Sequence, residues 1–351
     1  MHDELVSGFI GRFNNLNALN SSNQIIKLLC KEQRLESTEP PIYALSNLLS
    51  IDRDKFCADH SMIGIKRPMS SLVGTNAEKK RYRSILKLYG LTLGRSYAYA
   101  CPMCIASDKK LFGFSYWRRL HQLRGINWCH EHKTPLLTFP LKALYFQPET
   151  KNAIGSDVNL PFTDREYILN SALHRLFIIQ SMWLNSSTPI HTRAWSTVIQ
   201  AQCKKLGLRS GGPGKRPAIS DYVVTQLPYS WGIKHFSEIY KKQSLEHIRK
   251  FDGAGKDKHV AYPTLTCATI LATLFESAQE ALSLIEKAND PYIQKALNTD
   301  NPADFIDPAQ LALKMFLAGS SLAEACKAYG IKNSQVEELL RCSVKAACNP
   351  Y

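Results

Sequence analysis

Two short spacings constrain this chain more than anything else in it. Cys101-Pro-Met-Cys104 puts two thiols on one tight turn, and further on Cys129-His-Glu-His132 repeats the arrangement with a thiol and an imidazole. Zinc prefers such sulfur and nitrogen ligands in a tetrahedron, and a site closed by four side chains leaves no position for water or substrate. The pattern predicts a structural Zn2+ held by Cys101, Cys104, Cys129 and His132. The ion would support a zinc-finger module over 101–137 with little apolar core of its own. His130 competes for the fourth position, and the spacing favours His132.

Charge narrows the function classes. The 351 residues carry a net charge of +14, and two blocks hold all of the excess. Residues 61–130 have 13 basic and 2 acidic side chains, and residues 191–260 have 13 and 5. Residues 1–60 and 261–351 are weakly acidic. Cations concentrated in this way predict polyanion-binding surfaces, and double-stranded DNA is the expected partner. The candidate contacts in the first block are Lys79, Lys80, Arg81 and Arg83 on a basic helix, with Arg118, Arg119 and Arg124 facing out between the knuckles. In the second block they are Lys204, Lys205, Arg209, Lys215, Arg216, Lys241 and Lys242, on helix ends and on the loop Ser210-Gly-Gly-Pro-Gly-Lys-Arg-Pro217. Such side chains follow phosphates without reading bases.

Enzyme chemistry is not expected. The chain lacks a P-loop and an H-E-x-x-H, and the order of ligands around Cys129 does not suit a deaminase. No apolar run reaches membrane-spanning length, and Met1 to Ser7 is acidic with no apolar segment behind it. Cys30, Cys57, Cys203, Cys267, Cys326 and Cys342 are scattered in apolar helical contexts, which suits a reducing cytoplasm.

Hydrophobic periodicity predicts a mainly α chain. Helices are expected over 3–35, 40–52, 77–90, 164–184, 193–207, 219–227, 231–250, 264–288 and 308–345. A linker is expected at 148–162 and a mobile glycine-containing loop at 251–259. Strands should be few and confined to the zinc module. The division expected is an N-terminal helical domain with an inserted zinc finger (1–150), a basic helical DNA-binding domain (151–260) and a C-terminal helical domain (261–351). The last would carry a helix-turn-helix at 311–345. There Ser321-Leu-Ala-Glu324 is a capping box, Gly330 makes the turn and Val336 starts the second buried face. Glu337 and Glu338 are acidic on that second helix, so DNA contact and protein docking both remain open for it.

Several of these residues together resemble a known family. The C-P-x-C knuckle, Trp117-Arg118-Arg119-x-His121-Gln122-Leu123-x-Gly125, the C-x-x-H and Pro135-Leu136-Leu137 are similar to the TniQ/TnsD family of transposon target-selection proteins. Asp3-Glu4-Leu5-Val6 with Ile10 and Arg12 resembles that family's opening motif, although Gly8 stands where a serine is usual. Later stretches (Trp195 to Gly207, Ile219 to Phe236 and the terminal helix-turn-helix) look more like the TnsD branch, as does the lack of a second cysteine-rich finger. The resemblance implies a non-enzymatic bacterial protein of the cytoplasm, associated with the nucleoid. It would recognise an attachment site on double-stranded DNA and recruit the AAA+ ATPase regulator of transposition (TnsC-like) through the acidic segment 1–60. The alternative it implies is a TniQ-type adaptor bridging an RNA-guided CRISPR effector complex to the transposition machinery.

Overall fold

The computed structural model describes residue 1 and residues 3–17, 22–149, 165–186, 188–256, 260–298, 308–317, 321–329, 331–334, 336 and 337. The chain forms two units, Met1–Ile293 and Gln294–Tyr351. Both are mainly helical, with few strands.

In the first unit the opening motif is tied to the segment between the knuckles. The amide of Leu5 donates to the Trp117 carbonyl at 2.7 Å, and the Arg119 amide donates to the Asp3 carbonyl at 3.0 Å. The helix Val6–Leu16 starts there. A Cβ on Gly8 would sit 2.8 Å from the Trp117 ring, and one on Gly11 would sit 2.3 Å from the Leu144 carbonyl oxygen. Two small residues thus let this helix lie directly on its neighbours, and the glycine in place of serine at position 8 leaves room for Trp117. The helices Ile42–Leu48, Arg53–His60 and Asn76–Tyr89 close a satellite core with it, around Ile10, Ile42, Phe56 and Leu86.

The main core is one apolar cluster that runs from Leu5 through Trp117, Trp195, Trp231 and Leu271 to Ile285. Side chains from stretches assigned by sequence to three domains share it. Trp117, Trp128, Trp195 and Trp231 are all essentially buried. Each such ring removes roughly 200 Å2 from water, a gross gain of about 5 kcal/mol before chain entropy is charged against it. Hydrogen bonds cross the same ground. The Trp231 indole donates to the Gly125 carbonyl at 2.8 Å, the Gln180 amide to the Arg124 carbonyl at 2.9 Å and the Thr264 hydroxyl to the Ile65 carbonyl at 2.6 Å.

Strand pairing is brief. Tyr97–Ala100 runs antiparallel to Leu137–Pro140, with Tyr97 opposite Pro140 and Ala100 opposite Leu137, and it brackets the knuckles. A second pair, Met69–Ser70 parallel to Ile190–His191, lies outside the zinc module, where strands were not expected.

Several expected helices differ in extent. Residues 164–184 give two helices, Arg165–Leu169 and Ser171–Leu184, because the Asn170 side chain accepts from the Leu173 amide and starts a new one. The helix expected over 231–250 ends at Lys241. Past it Lys242 turns inward, and its ammonium meets Asp221 at 2.6 Å and the Ser220 hydroxyl at 2.7 Å. The expected mobile loop at 251–259 is, through residue 256, a packed turn. Phe251, Asp252 and Ala254 are fully buried, and the Asp252 carboxylate accepts from the amides of Ser220 and Ile248 and from the Ser220 hydroxyl. Helix 264–288 is likewise two, Thr264–Leu274 and Ala278–Asn298. Most of the expected linker lies outside the described residues.

In the second unit, Pro308–Leu317 and Leu322–Tyr329 pack through Ala312, Ala325 and Cys326, with Ile331 and Val336 against them. The capping box forms: Ser321 Oγ accepts from the Glu324 amide, and the Glu324 carboxylate accepts from the Ser321 amide. The rest of the expected helix-turn-helix, from Glu338 on, lies outside the described residues.

Candidate metal centre and basic surfaces

The helix Pro102–Phe112 explains the first knuckle. Cys101 is its N-cap residue, Pro102 occupies the first helical position, and Cys104 lies on the first turn. Proline costs nothing there because the first amides have no intrahelical partner, and the helix N-terminus favours negative charge on both sulfurs. The second knuckle is a tight reversal in which the Lys133 amide donates to the Cys129 carbonyl, and the Cys129 amide donates to the Thr134 carbonyl at 2.7 Å. Lys133 adopts φ +51° to make it.

These turns bring four ligand atoms together. The Sγ atoms of Cys101, Cys104 and Cys129 and the Nδ1 of His132 all lie within 4.8 Å of one another. The imidazole is 3.6, 3.3 and 3.5 Å from the three sulfurs in that order, and Cys104 Sγ is 3.7 Å from Cys129 Sγ. The three cysteines are buried. His130 is turned away, stacked at 4.3 Å on the Phe177 ring. The ligand set is therefore the one the spacing favours, and it is compatible with a metal ion. Two further side chains stand beside the sulfurs, Thr134, which the sequence did not single out, and His121 of the Trp117–Gly125 stretch. The Thr134 hydroxyl lies 3.4 Å from Cys101 Sγ, and buried His121 places its Nε2 3.8 Å from Cys104 Sγ.

The cations expected to meet DNA fall into two sets. Lys79, Lys80, Arg81 and Arg83 are exposed along Asn76–Tyr89, and Lys204, Lys205, Lys215, Arg216 and Lys241 are also exposed. Among the described residues none of these forms an ion pair. On the basic helix Leu88 is 67% exposed, whereas Glu78 is buried and paired with Arg67 at 2.6 Å.

The second set makes ion pairs or hydrogen bonds within the protein, to differing degrees. Arg119 does not face out. It is 3% exposed, and its guanidinium donates to Asp3 at 3.0 Å, to the carbonyls of Ala58 and Ser61 and to the Asn185 side chain. Burial pushes its pKa down, and the Asp3 charge opposes that shift. Arg118 pairs with buried Asp108 at 2.5 Å. Lys242, only 4% exposed at its side chain, belongs to the Ser220 and Asp221 network. Arg209 is half-buried and donates to the carbonyls of Gly212 (2.7 Å) and Leu245 (2.5 Å), which pins the glycine-rich loop. Arg124 is exposed and donates to the Gly94 carbonyl at 2.7 Å.

The loop from Arg209 to Arg216 surrounds an open cavity of about 300 Å3. Gly211 holds it at φ +110°, with its amide donating to the Asp252 carbonyl at 2.7 Å. Lys215 and Arg216 are thus carried on a braced loop.

The family model for TniQ matches residues 1–136. Residues 1–136 are a TniQ domain. The match takes in the opening motif, the basic helix Asn76–Tyr89 and both knuckles, and it ties the chain to transposition targeting. A search of curated proteins gives no significant match. Among the described residues no helix is long and apolar enough to cross a membrane.

Proposed function

We propose that this TniQ-domain protein is a non-enzymatic target selector of a transposon. In this reading it binds an attachment site on double-stranded DNA and recruits the AAA+ ATPase regulator of transposition, as in the TnsD branch. The observation that carries the reading is the set of exposed, unpaired cations on the basic helix and on the braced loop, in a chain with a TniQ domain. An adaptor that touched only protein would have no use for them.

Cys101, Cys104, Cys129 and His132 would hold a zinc ion. A tetrahedral ion with Zn–S bonds of about 2.3 Å sets its sulfurs roughly 3.8 Å apart, and Cys104 and Cys129 stand at 3.7 Å. With four protein ligands its role is structural. It would fix the N-terminus of Pro102–Phe112 against the strand pair that brackets it.

Docking of the ATPase is assigned to exposed acids of the N-terminal region, such as Glu32 and Asp54. Asp3 and Glu4 are excluded from that role, because both are buried and hold arginines. Glu32→Lys with Asp54→Lys should abolish recruitment in a pull-down and leave DNA binding intact. Unchanged recruitment would remove the assignment.

The test of the whole reading is selection of genomic fragments by the purified protein at about 150 mM salt, where non-specific phosphate contacts are screened. Enrichment of one short site is expected. Uniform weak binding would overturn direct recognition in favour of the adaptor that works with an RNA-guided CRISPR effector complex.

A further inference from the structure

A cleft of about 490 Å3 opens between the TniQ domain and the start of the helix Thr264–Leu274. Its walls are mostly aliphatic, from Met62, Ile65, Leu93 and Leu265 among others, and Tyr89 lines it with 46% of its surface exposed. Three cations also line it: Lys66, Arg95 and Arg124.

None of the three faces a carboxylate among the described residues, and the lining contains no acidic side chain. Their hydrogen bonds go to neutral groups. Lys66 donates to the Thr92 hydroxyl at 3.0 Å, Arg95 to the Leu123 carbonyl at 2.6 Å and Arg124 to the Gly94 carbonyl at 2.7 Å. Aromatic faces hold two of them: the Lys66 ammonium lies 4.3 Å from the Tyr89 ring centre, and the Arg95 guanidinium lies 3.9 Å from that of Tyr99. Gly94, at φ +76°, brings its backbone so close that a Cβ there would meet the Lys66 ammonium at 2.9 Å. The cations are therefore held in place by the fold.

Partly buried positive charge without a counter-charge is costly. The cost is visible in Lys66 and Arg95, whose pKa values are both pushed down: Lys66 by burial and then the Arg124 charge, and Arg95 to about 10, chiefly by burial, with Tyr99 opposing the shift and Arg124 adding a smaller push down. Elsewhere in the unit buried arginines carry carboxylate partners, as Arg119 and Arg67 do.

We infer that this cleft is a docking site for an acidic peptide segment of a partner protein, one that sets carboxylates against Lys66, Arg95 and Arg124 and an apolar side chain between Ile65, Leu93 and Leu265. The last turns of the basic helix contribute Ile85 and Tyr89 to the cleft, and its aliphatic walls distinguish it chemically from that helix's exposed cations. A sugar-phosphate backbone would satisfy the cations and leave those walls wet, whereas a segment mixing Asp or Glu with Leu or Phe satisfies both. Such short segments bind with modest affinity and respond to salt, because part of the attraction is between charges.

A displayed library of short random peptides, panned against the immobilised full chain, tests this. The sequences expected to enrich combine acids with apolar residues. A labelled synthetic copy of the leading sequence should lose about tenfold or more in affinity for Lys66→Glu with Arg124→Glu, and also for the neutral pair Lys66→Gln with Arg124→Gln. Tyr89→Ala, a change at an exposed position, should weaken it less. Circular dichroism and thermal melts check that each variant is folded. The inference is overturned if no acidic sequence enriches. It is also overturned if the enriched peptides bind the charge-reversed variant as well as the parent, or if duplex DNA displaces the peptide. That last outcome would make the cleft part of the nucleic-acid surface.

Discussion

Replacing Arg119 by methionine separates a structural arginine from a DNA-contacting one. The side chain makes four contacts, with the Asp3 carboxylate, two backbone carbonyls and the Asn185 amide oxygen, at 3% exposure. Methionine preserves much of the stem's volume and removes every donor. The Asp3 carboxylate then loses its guanidinium partner and retains the Leu120 amide, at 3.1 Å, and the two carbonyls lose a donor. Breaking a buried ion pair from one side costs about 3–5 kcal/mol. For a unit of this size that is a fall in melting temperature of roughly 5–8 °C. Urea titration should show a lower midpoint with an unchanged slope, which marks lost stability rather than altered compactness. Asp3→Asn combined with Arg119→Met should cost less than the two single changes added together, with a coupling of about 1 kcal/mol or more. Lys80→Ala, at an exposed position, should stay within about 0.5 kcal/mol of the parent and instead weaken binding to every DNA sequence alike. The reasoning fails if Arg119→Met keeps the parental urea midpoint while its DNA affinity falls.

Four further outcomes follow from the same geometry. Native mass spectrometry should find one zinc per chain, lost in His132→Ala and kept in His130→Ala; a metal that stays with His132→Ala would displace that ligand from the set. Gly125→Ala should destabilise by more than about 2 kcal/mol, because φ is +77° and the new Cβ would sit 2.8 Å from the Trp231 ring. At Gly113 φ is +80° with nothing within 4 Å, so alanine there should cost only the backbone term of about 1–2 kcal/mol; equal losses at the two sites in chemical denaturation would refute the packing argument. Burial holds His235 neutral, with its pKa pushed down to about 4 from an ordinary 6.5. The unfolded chain therefore takes up the proton first, and stability present above pH 6.5 declines as the pH falls towards 4, by on the order of 3 kcal/mol from this group. His235→Gln should flatten that part of the stability-against-pH curve, and an unchanged slope would assign it to other groups.

The clustering of Cys101, Cys104, Cys129 and His132 was legible because its signal is local. A turn of four residues fixes two of them, and only the pairing of two turns had to be inferred. The basic helix was legible for the same reason, since its charges lie on one continuous segment. Arg119 was not. Read alone it is a cation beside aromatics in a basic block, and its partner Asp3 lies at the far end of the domain. The clue lay in the opening motif, where two consecutive acids precede an apolar run, and an acid at the start of a buried segment needs a counter-charge. Lys242 misled for a related reason. A lysine at a helix end usually snorkels to water, but here the chain turns and carries it onto Ser220 and Asp221. The turn at 251–256 reads as mobile from its glycines, and it is buried because Asp252 collects donors from residues that lie more than thirty positions upstream as well as nearby. Pairings of this kind leave no periodicity in a sequence.

The bonds from Trp231 to Gly125, from Gln180 to Arg124 and from Thr264 to Ile65 bear on how such a protein can be re-engineered or recombined. A chimaera joined at residue 136, where the recognisable domain ends, would cut through one shared interior and leave Trp117, Leu123 and Ile126 without their later partners. New surface chemistry is therefore far easier to graft at the exposed loops and helix faces than by trading the N-terminal part as a cassette, and inheritance of that part should follow the inheritance of the helices that cover it.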